Sequence, residues 1–270
     1  MKFNWPYLIG FFVIVTICAF YYVSTRPSWS PPPEPVSTIQ PEKQQKPTQV
    51  EHPIGKIEST PSTVAEETTL HKPLPELGQS DTLMTGVLTK LFQKQDIDRF
   101  FIIEHFVERC VILVDSLTRS QLPKTHLPVK KTPGAFSVIE SSGQLFTDSK
   151  NHLRYQPLVA SFEALNQQDV IAVYARLYPL FQKAYNQLGY PDAYFNDRVV
   201  EVIDHLLATP EVNEPIELVR PKYYYQFADP QLEALSSGQK VLLRIGPENA
   251  SRLKAILTGY RQALTAQNLP

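Results

Sequence analysis

Only two cysteines occur in the 270 residues, Cys18 in an apolar N-terminal stretch and Cys110 far along the chain. The first would sit in lipid and the second in a folded domain, so a disulfide within the chain is excluded, and no Cys/His spacing suits zinc. Excess charge is also lacking. Lys+Arg number 26 and Asp+Glu 27, a formal net charge of −1, so no strong field would attract nucleic acid or another polyanion. No glycine-rich phosphate loop, nucleophile elbow or paired-cysteine motif is present. These gaps leave no cofactor and no metal site to expect, and they favour a non-enzymatic protein.

The apolar residues are unevenly spread. No residue from Asn4 to Thr25 is charged, and Tyr7 to Val23 is almost wholly apolar. A run of about 20 such residues can cross a hydrocarbon core of roughly 30 Å. Trp5, Tyr7, Tyr21, Tyr22 and Trp29 lie toward its ends, where amphipathic rings favour the headgroup region. The expectation is a retained transmembrane anchor, domain 1–26, in contact with the membrane through residues 5–25. A cleaved signal peptide would end in small residues, whereas Tyr21-Tyr22-Val23 is bulky. A lipoprotein signal would need a small residue where Ile17 precedes Cys18. Lys2 favours an N-terminus inside and a C-terminus outside the cytoplasm.

Residues 27–78 carry Pro27, Pro31, Pro32, Pro33, Pro35, Pro41, Pro47, Pro53, Pro61, Pro73 and Pro75 among Gln, Glu, Thr, Ser and Lys. With so little to bury, this tether is expected to stay disordered. About 50 residues reach ~150 Å as polyproline II and typically ~40 Å as a flexible coil. A passive spacer is the plain reading and a docking site for a proline-recognising partner the alternative.

Residues 79–266 read as a mainly α domain with a small β-hairpin or extended segments. Helices are expected over Asp81 to Gln93, over a long stretch from Asp96 to Gln121, over Leu158 to Leu165, and over Asp169 to Leu188 with a kink at Pro179. Asp192 would cap a helix running to Ala208, and a last helix would open at Gly246-Pro247-Glu248. Ser141-Ser142-Gly143 would close a hairpin between Phe136–Ile139 and Gln144–Phe146. Cys110 falls among the apolar residues of the long helix, a structural core thiol.

The helix from Asp192 holds the candidate site. Asp197, Glu201 and His205 recur every four residues, with Arg198 and Asp204 beside them. A carboxylate and an imidazole one turn apart can share a metal or pass a proton. All five nevertheless share one sector of the wheel, opposite Val199, Val202, Ile203, Leu206 and Leu207, as on a solvated helix with ion pairs. Tyr190, Asp192, Tyr194, Asp197, Arg198, Glu201 and His205 are therefore taken as a binding face. Asn196 falls on the apolar side, where a buried amide needs partners. It is expected to be structural, pinning the loop Gly189-Tyr190-Pro191-Asp192. Tyr174, Tyr178, Phe181 and Tyr185 at helical spacing read as core rather than as a groove.

Two clusters carry a resemblance. The first is Tyr178-Pro-Leu-Phe, Ala184-Tyr, Gly189-Tyr-Pro, Phe195-Asn-Asp-Arg198, Ile203-Asp-His-Leu-Leu and Thr209-Pro210. The second is Asp229-Pro, Glu233, Ser237-Gly-Gln-Lys240, Leu243-Arg and Gly246-Pro-Glu-Asn249. Over Thr82 to Leu264 the chain resembles a bacterial family of single-pass membrane proteins with a C-terminal domain of unknown function, the one numbered three thousand and fourteen. The resemblance implies an inner-membrane setting with the domain in the periplasm, and it implies no activity or catalytic residue. The leading expectation is a cell-envelope protein that binds another envelope component, a protein and not nucleic acid, with its oligomeric state open. An envelope hydrolase using the Asp197, Glu201 and His205 face is one alternative. An energy-coupling tether arm is another.

Overall fold

The computed structural model describes residues 50–54, 73–123 and 125–266. The expected anchor over residues 5–25, Cys18 and most of the tether lie outside the described residues. Among the described residues no helix is long and apolar enough to cross a membrane.

The domain is mainly helical, with ten α-helices and one four-stranded antiparallel sheet among the described residues. In chain order these are α1 (Asp81–Leu91), α2 (Lys94–Phe100), α3 (Phe106–Ser116), β1 (Val138–Ser141), β2 (Gln144–Thr147), α4 (Lys150–Leu153), α5 (Gln156–Glu163) and α6 (Gln167–Gln187). There follow α7 (Phe195–Leu207), β3 (Glu217–Val219), β4 (Gln226–Phe227), α8 (Pro230–Glu233), α9 (Ser237–Arg244) and α10 (Pro247–Thr265).

The long helix expected from Asp96 to Gln121 is two helices, α2 and α3, separated by an extended break. Phe101 pairs with Val129 in an isolated antiparallel bridge, with Ile102 N–H donating to Pro128 O at 2.8 Å and Lys130 N–H to Phe100 O at 2.9 Å. His105 then adopts a left-handed conformation (φ 52°). The carboxylate of Asp81, from the first turn of α1, accepts from His105 N at 2.9 Å and Phe106 N at 3.1 Å. A distant acid thus takes the place of a local N-cap, which helical periodicity over Phe100 to Leu117 could not reveal.

Apolar stripes of α1, α3, α5, α6, α7, α9 and α10 form the main core. α10 lies along α7, and α3 packs on both α6 and α7. Tyr174, Tyr178, Phe181 and Tyr185 of α6 are buried, as their spacing suggests, and Phe181 stacks on Phe195 with ring centroids 6.0 Å apart. α6 runs through Pro179 without a break. Cys110 is fully buried, and burial pushes its thiol pKa well up, so it stays protonated.

The hairpin of β1 and β2 turns at Ser142 and Gly143, both with positive φ, as a two-residue turn of this hand requires. β3 and β4 continue the sheet in the order β1-β2-β3-β4. The stretch from Ile216 to Phe227 thus holds two short strands. Ile216, Leu218 and Phe227 make a second small core with Leu243 of α9.

Two parts of the compositional tether belong to the packed domain. Leu77 is buried in the main core, with Leu74 and Ile54 packed against that core. Lys183 of α6 also pairs with Glu76.

Candidate functional site

Amphipathicity builds α7 as expected, since Val199, Val202, Ile203 and Leu206 are buried. Its start differs from expectation. Asp192 is exposed in a turn and does not cap α7, and Tyr194 occupies the N-cap position. The entry to α7 is instead held by Gln182 of α6, whose Oε1 accepts from Phe195 N at 2.8 Å and whose Nε2 donates to Ala193 O at 2.8 Å. That is the role expected of Asn196. Helical spacing carries no signal for it, because Gln182 acts from another element.

Asn196 is fully buried, but its Nδ2 donates to His52 O at 2.9 Å and, more weakly, to Leu264 O at 3.5 Å. The neighbouring Asp197 carboxylate accepts from His52 N at 2.7 Å and Glu51 N at 3.1 Å. The Tyr194 hydroxyl accepts from Ile54 N at 2.8 Å, and its ring packs 5.1 Å from that of Tyr178. Three side chains at the start of α7 thereby grip one short segment by its main chain.

Arg198 departs furthest from the solvated face. It is only 8% exposed, with Nε 3.3 Å from Asp115 Oδ1 and Nη1 3.0 Å from Glu201 Oε2. Its Nη2 donates to Asp115 O at 2.8 Å and to Thr118 Oγ1 at 2.6 Å. Burial alone would lower its pKa, but Glu201 and Asp115 more than offset that and hold the guanidinium charged. Asp115 is itself buried and also pairs with Arg119, which donates to the Tyr190 hydroxyl at 3.0 Å. Tyr190 stacks on Tyr185 with centroids 4.7 Å apart. The wheel placed Arg198 on the polar side, and α3 covers that side.

His205 is half-buried, one turn beyond Glu201. Its Nε2 lies 2.8 Å from Ser236 Oγ, beside a recess of about 390 Å³ lined also by Thr118, Ser120, Gln231 and Gln239. Burial lowers the His205 pKa first, and the Arg198 charge adds to this against an opposing effect of Glu201. A neutral imidazole on a serine hydroxyl is half of a nucleophilic arrangement. Ser236, however, is the N-cap of α9, with Oγ accepting from Gln239 N at 3.2 Å in a capping box. The next two amides are engaged as well, Ser237 N donating to Arg119 O at 2.7 Å and Gly238 N to Leu117 O at 3.0 Å. The amides that could stabilise an oxyanion thus close the C-terminal end of α3 onto the start of α9.

Asp197, Glu201 and His205 consequently do not converge. Each faces a different structure: the 50–54 segment, the Arg198 pair, and the cap of α9. Among the described residues no three His, Cys, Asp or Glu side chains gather as metal ligands. A cleft of about 480 Å³ lies elsewhere, between the Thr209–Glu214 loop and α9–α10. There Glu214 Oε1 sits 3.0 Å from His152 Nε2, and Lys254 Nζ donates to Thr209 O at 2.6 Å.

Asp115, Gln182, Ser236 and the segment 50–54 were not legible as parts of this region. Only the Asp115–Arg119 spacing of one helical turn carried a local signal.

No curated protein and no solved structure matches the chain. Residues 106–261, more than half of the chain, match the family described as protein of unknown function (DUF3014), and the chain belongs to that family.

Proposed function

We propose that this is a non-enzymatic, membrane-anchored protein of the bacterial cell envelope, whose periplasmic domain binds another envelope protein. The observation that carries the reading is the use made of the candidate side chains. Tyr194, Asn196 and Asp197 are directed at the main chain of a short segment, residues 51–54, which is binding chemistry. Arg198, Glu201 and His205 are engaged in pairs that join α3, α7 and α9. The anchor and orientation are supported by the uncharged run of residues 5–25 and by Lys2. A tether of this composition would give the domain a reach of tens of ångströms from the membrane.

Two experiments test the proposal. Alkaline phosphatase fused after Pro270 should be active, and a cytoplasmic reporter at the same position silent; the reverse pattern would overturn the periplasmic placement. The intact protein, purified from membranes, should retain an envelope protein identifiable by mass spectrometry. Glu201→Ala, Asp192→Ala or Tyr190→Phe should weaken that association if the exposed side of α7 and its entry loop contribute. Recovery of the bare chain under gentle extraction would refute the binding role.

A further inference from the structure

Among the described residues, the bonds that hold the segment Val50–Ile54 at the start of α7 all end on its own main chain. Glu51 N and His52 N donate to the Asp197 carboxylate, His52 O accepts from Asn196, and Ile54 N donates to the Tyr194 hydroxyl. Residue 53 is the one skipped, and it is a proline, which has no N–H to satisfy. The chain bends at Glu51 and His52, which turns these two successive amides toward one carboxylate. Ile54 then packs against the main core, while Val50 stays exposed. Main-chain bonds of this kind tolerate many side chains. What they demand is a segment that bends over its first two positions, with proline at the third of four and an apolar residue at the fourth.

From this we infer that Tyr194, Asn196 and Asp197 form a recognition site for a short, bent protein segment of the pattern x-x-Pro-apolar, closed in cis by residues 51–54 of the same chain. The inference rests on the binding role proposed above and names the class of partner. A partner presenting such a segment competes with the chain's own copy. A ligand tethered to its site acts at an effective concentration on the order of millimolar. The cis segment therefore masks the site against weak or chance ligands and yields to a partner that adds contacts of its own. Displacement would also release residues 51–54 from the domain, and so lengthen its reach.

A fluorescein-labelled peptide of residues 48–56 is titrated by fluorescence anisotropy into two full-length proteins, the wild type and one with residues 51–54 replaced by glycine and serine. The peptide should bind the replaced chain at least about tenfold more tightly, since the tethered competitor is gone. Asp197→Asn in the replaced chain should weaken binding about tenfold or more, because two amides lose a charged acceptor. A peptide carrying Ile54→Asp should not bind. Equal binding to both proteins would overturn closure in cis. Binding undiminished by Asp197→Asn, or none to a replaced chain that melts like the wild type, would overturn the site. Should the replacement unfold the chain, Ile54→Ser takes its place, and Tyr194→Phe, which keeps the ring on Tyr178, stands in for Asp197→Asn. The components are purified, so failure of the envelope assignment leaves this result untouched. Peptide binding without any co-purified partner would refute the envelope role alone.

Discussion

Replacing Asp115 by asparagine removes one charge and keeps the shape of the side chain. The substitution acts on a guanidinium that is nearly out of water, with Asp115 Oδ1 3.3 Å and Glu201 Oε2 3.0 Å away. Removing one partner from a buried pair costs about 3–5 kcal/mol, because the other charge stays buried. Here Glu201 remains, but its side chain is 43% exposed and screened by solvent. The neutral amide that replaces the carboxylate would keep some hydrogen bonding to Arg119 and Arg198. The expected loss is therefore roughly 2–3 kcal/mol. With a denaturant slope of about 2 kcal/mol/M, the urea midpoint should fall by ~1–1.5 M. Glu163→Gln is the control. It breaks the Glu163–Arg252 pair, whose side chains are 36% and 29% exposed, and should cost no more than about 1 kcal/mol. Both variants are followed by circular dichroism in urea, and unchanged slopes would show that only stability moved. If Asp115→Asn shifts the midpoint no further than Glu163→Gln, then Arg198 is not desolvated and the joint between α3 and α7 does not depend on it. Pairing Asp115→Asn with Arg198→Met should recover part of the loss, since the uncompensated charge is then gone.

Three further outcomes follow from the packing. Asn196→Ala removes a buried amide and leaves the part-buried His52 carbonyl without its donor, and should lower stability by about 1–3 kcal/mol in the same urea assay; a loss below ~0.5 kcal/mol would place the amide in water. His205 has a folded-state pKa below its ordinary 6.5, so its contribution is in place above pH ~6.5 and is lost as pH falls through the lowered value. Urea midpoints at pH ~7.5 and pH ~5.5 should therefore differ less in His205→Gln than in the wild type, and an identical difference would remove His205 as a source. Gly238→Ala would bring a Cβ to 2.7 Å from Leu206 Cδ2 and 2.9 Å from the Leu117 carbonyl oxygen. The backbone oxygen cannot yield cheaply, so thermal denaturation should show a loss of about 1–3 kcal/mol although alanine is the better helix former; a raised Tm would show that α3 and α9 can separate.

The features that local chemistry controls were readable along the chain. Pro247 stands at the first position of α10, so that helix opens where short-range chemistry opens it. Ser142 and Gly143 close the hairpin for the same reason. Periodicity of 3.6 residues identified the buried sides of α6 and α7, and it set Asn196 in the core.

Only the tertiary structure decided which polar groups meet. A helical wheel divides a helix into two sides, yet α7 is flanked on more than one, and α3 covers the side that carries Arg198. The acid that caps α3 comes from α1, and the glutamine that holds the entry to α7 comes from α6. Neither distance nor direction between such elements is encoded in spacing along one helix. The 50–54 segment shows the same limit from the other side. Its composition has too little apolar surface to fold alone, but three side chains already fixed at the start of α7 supply the hydrogen-bond partners, and the main core supplies an apolar seat for Ile54, so its ordering rests on contacts made elsewhere in the sequence.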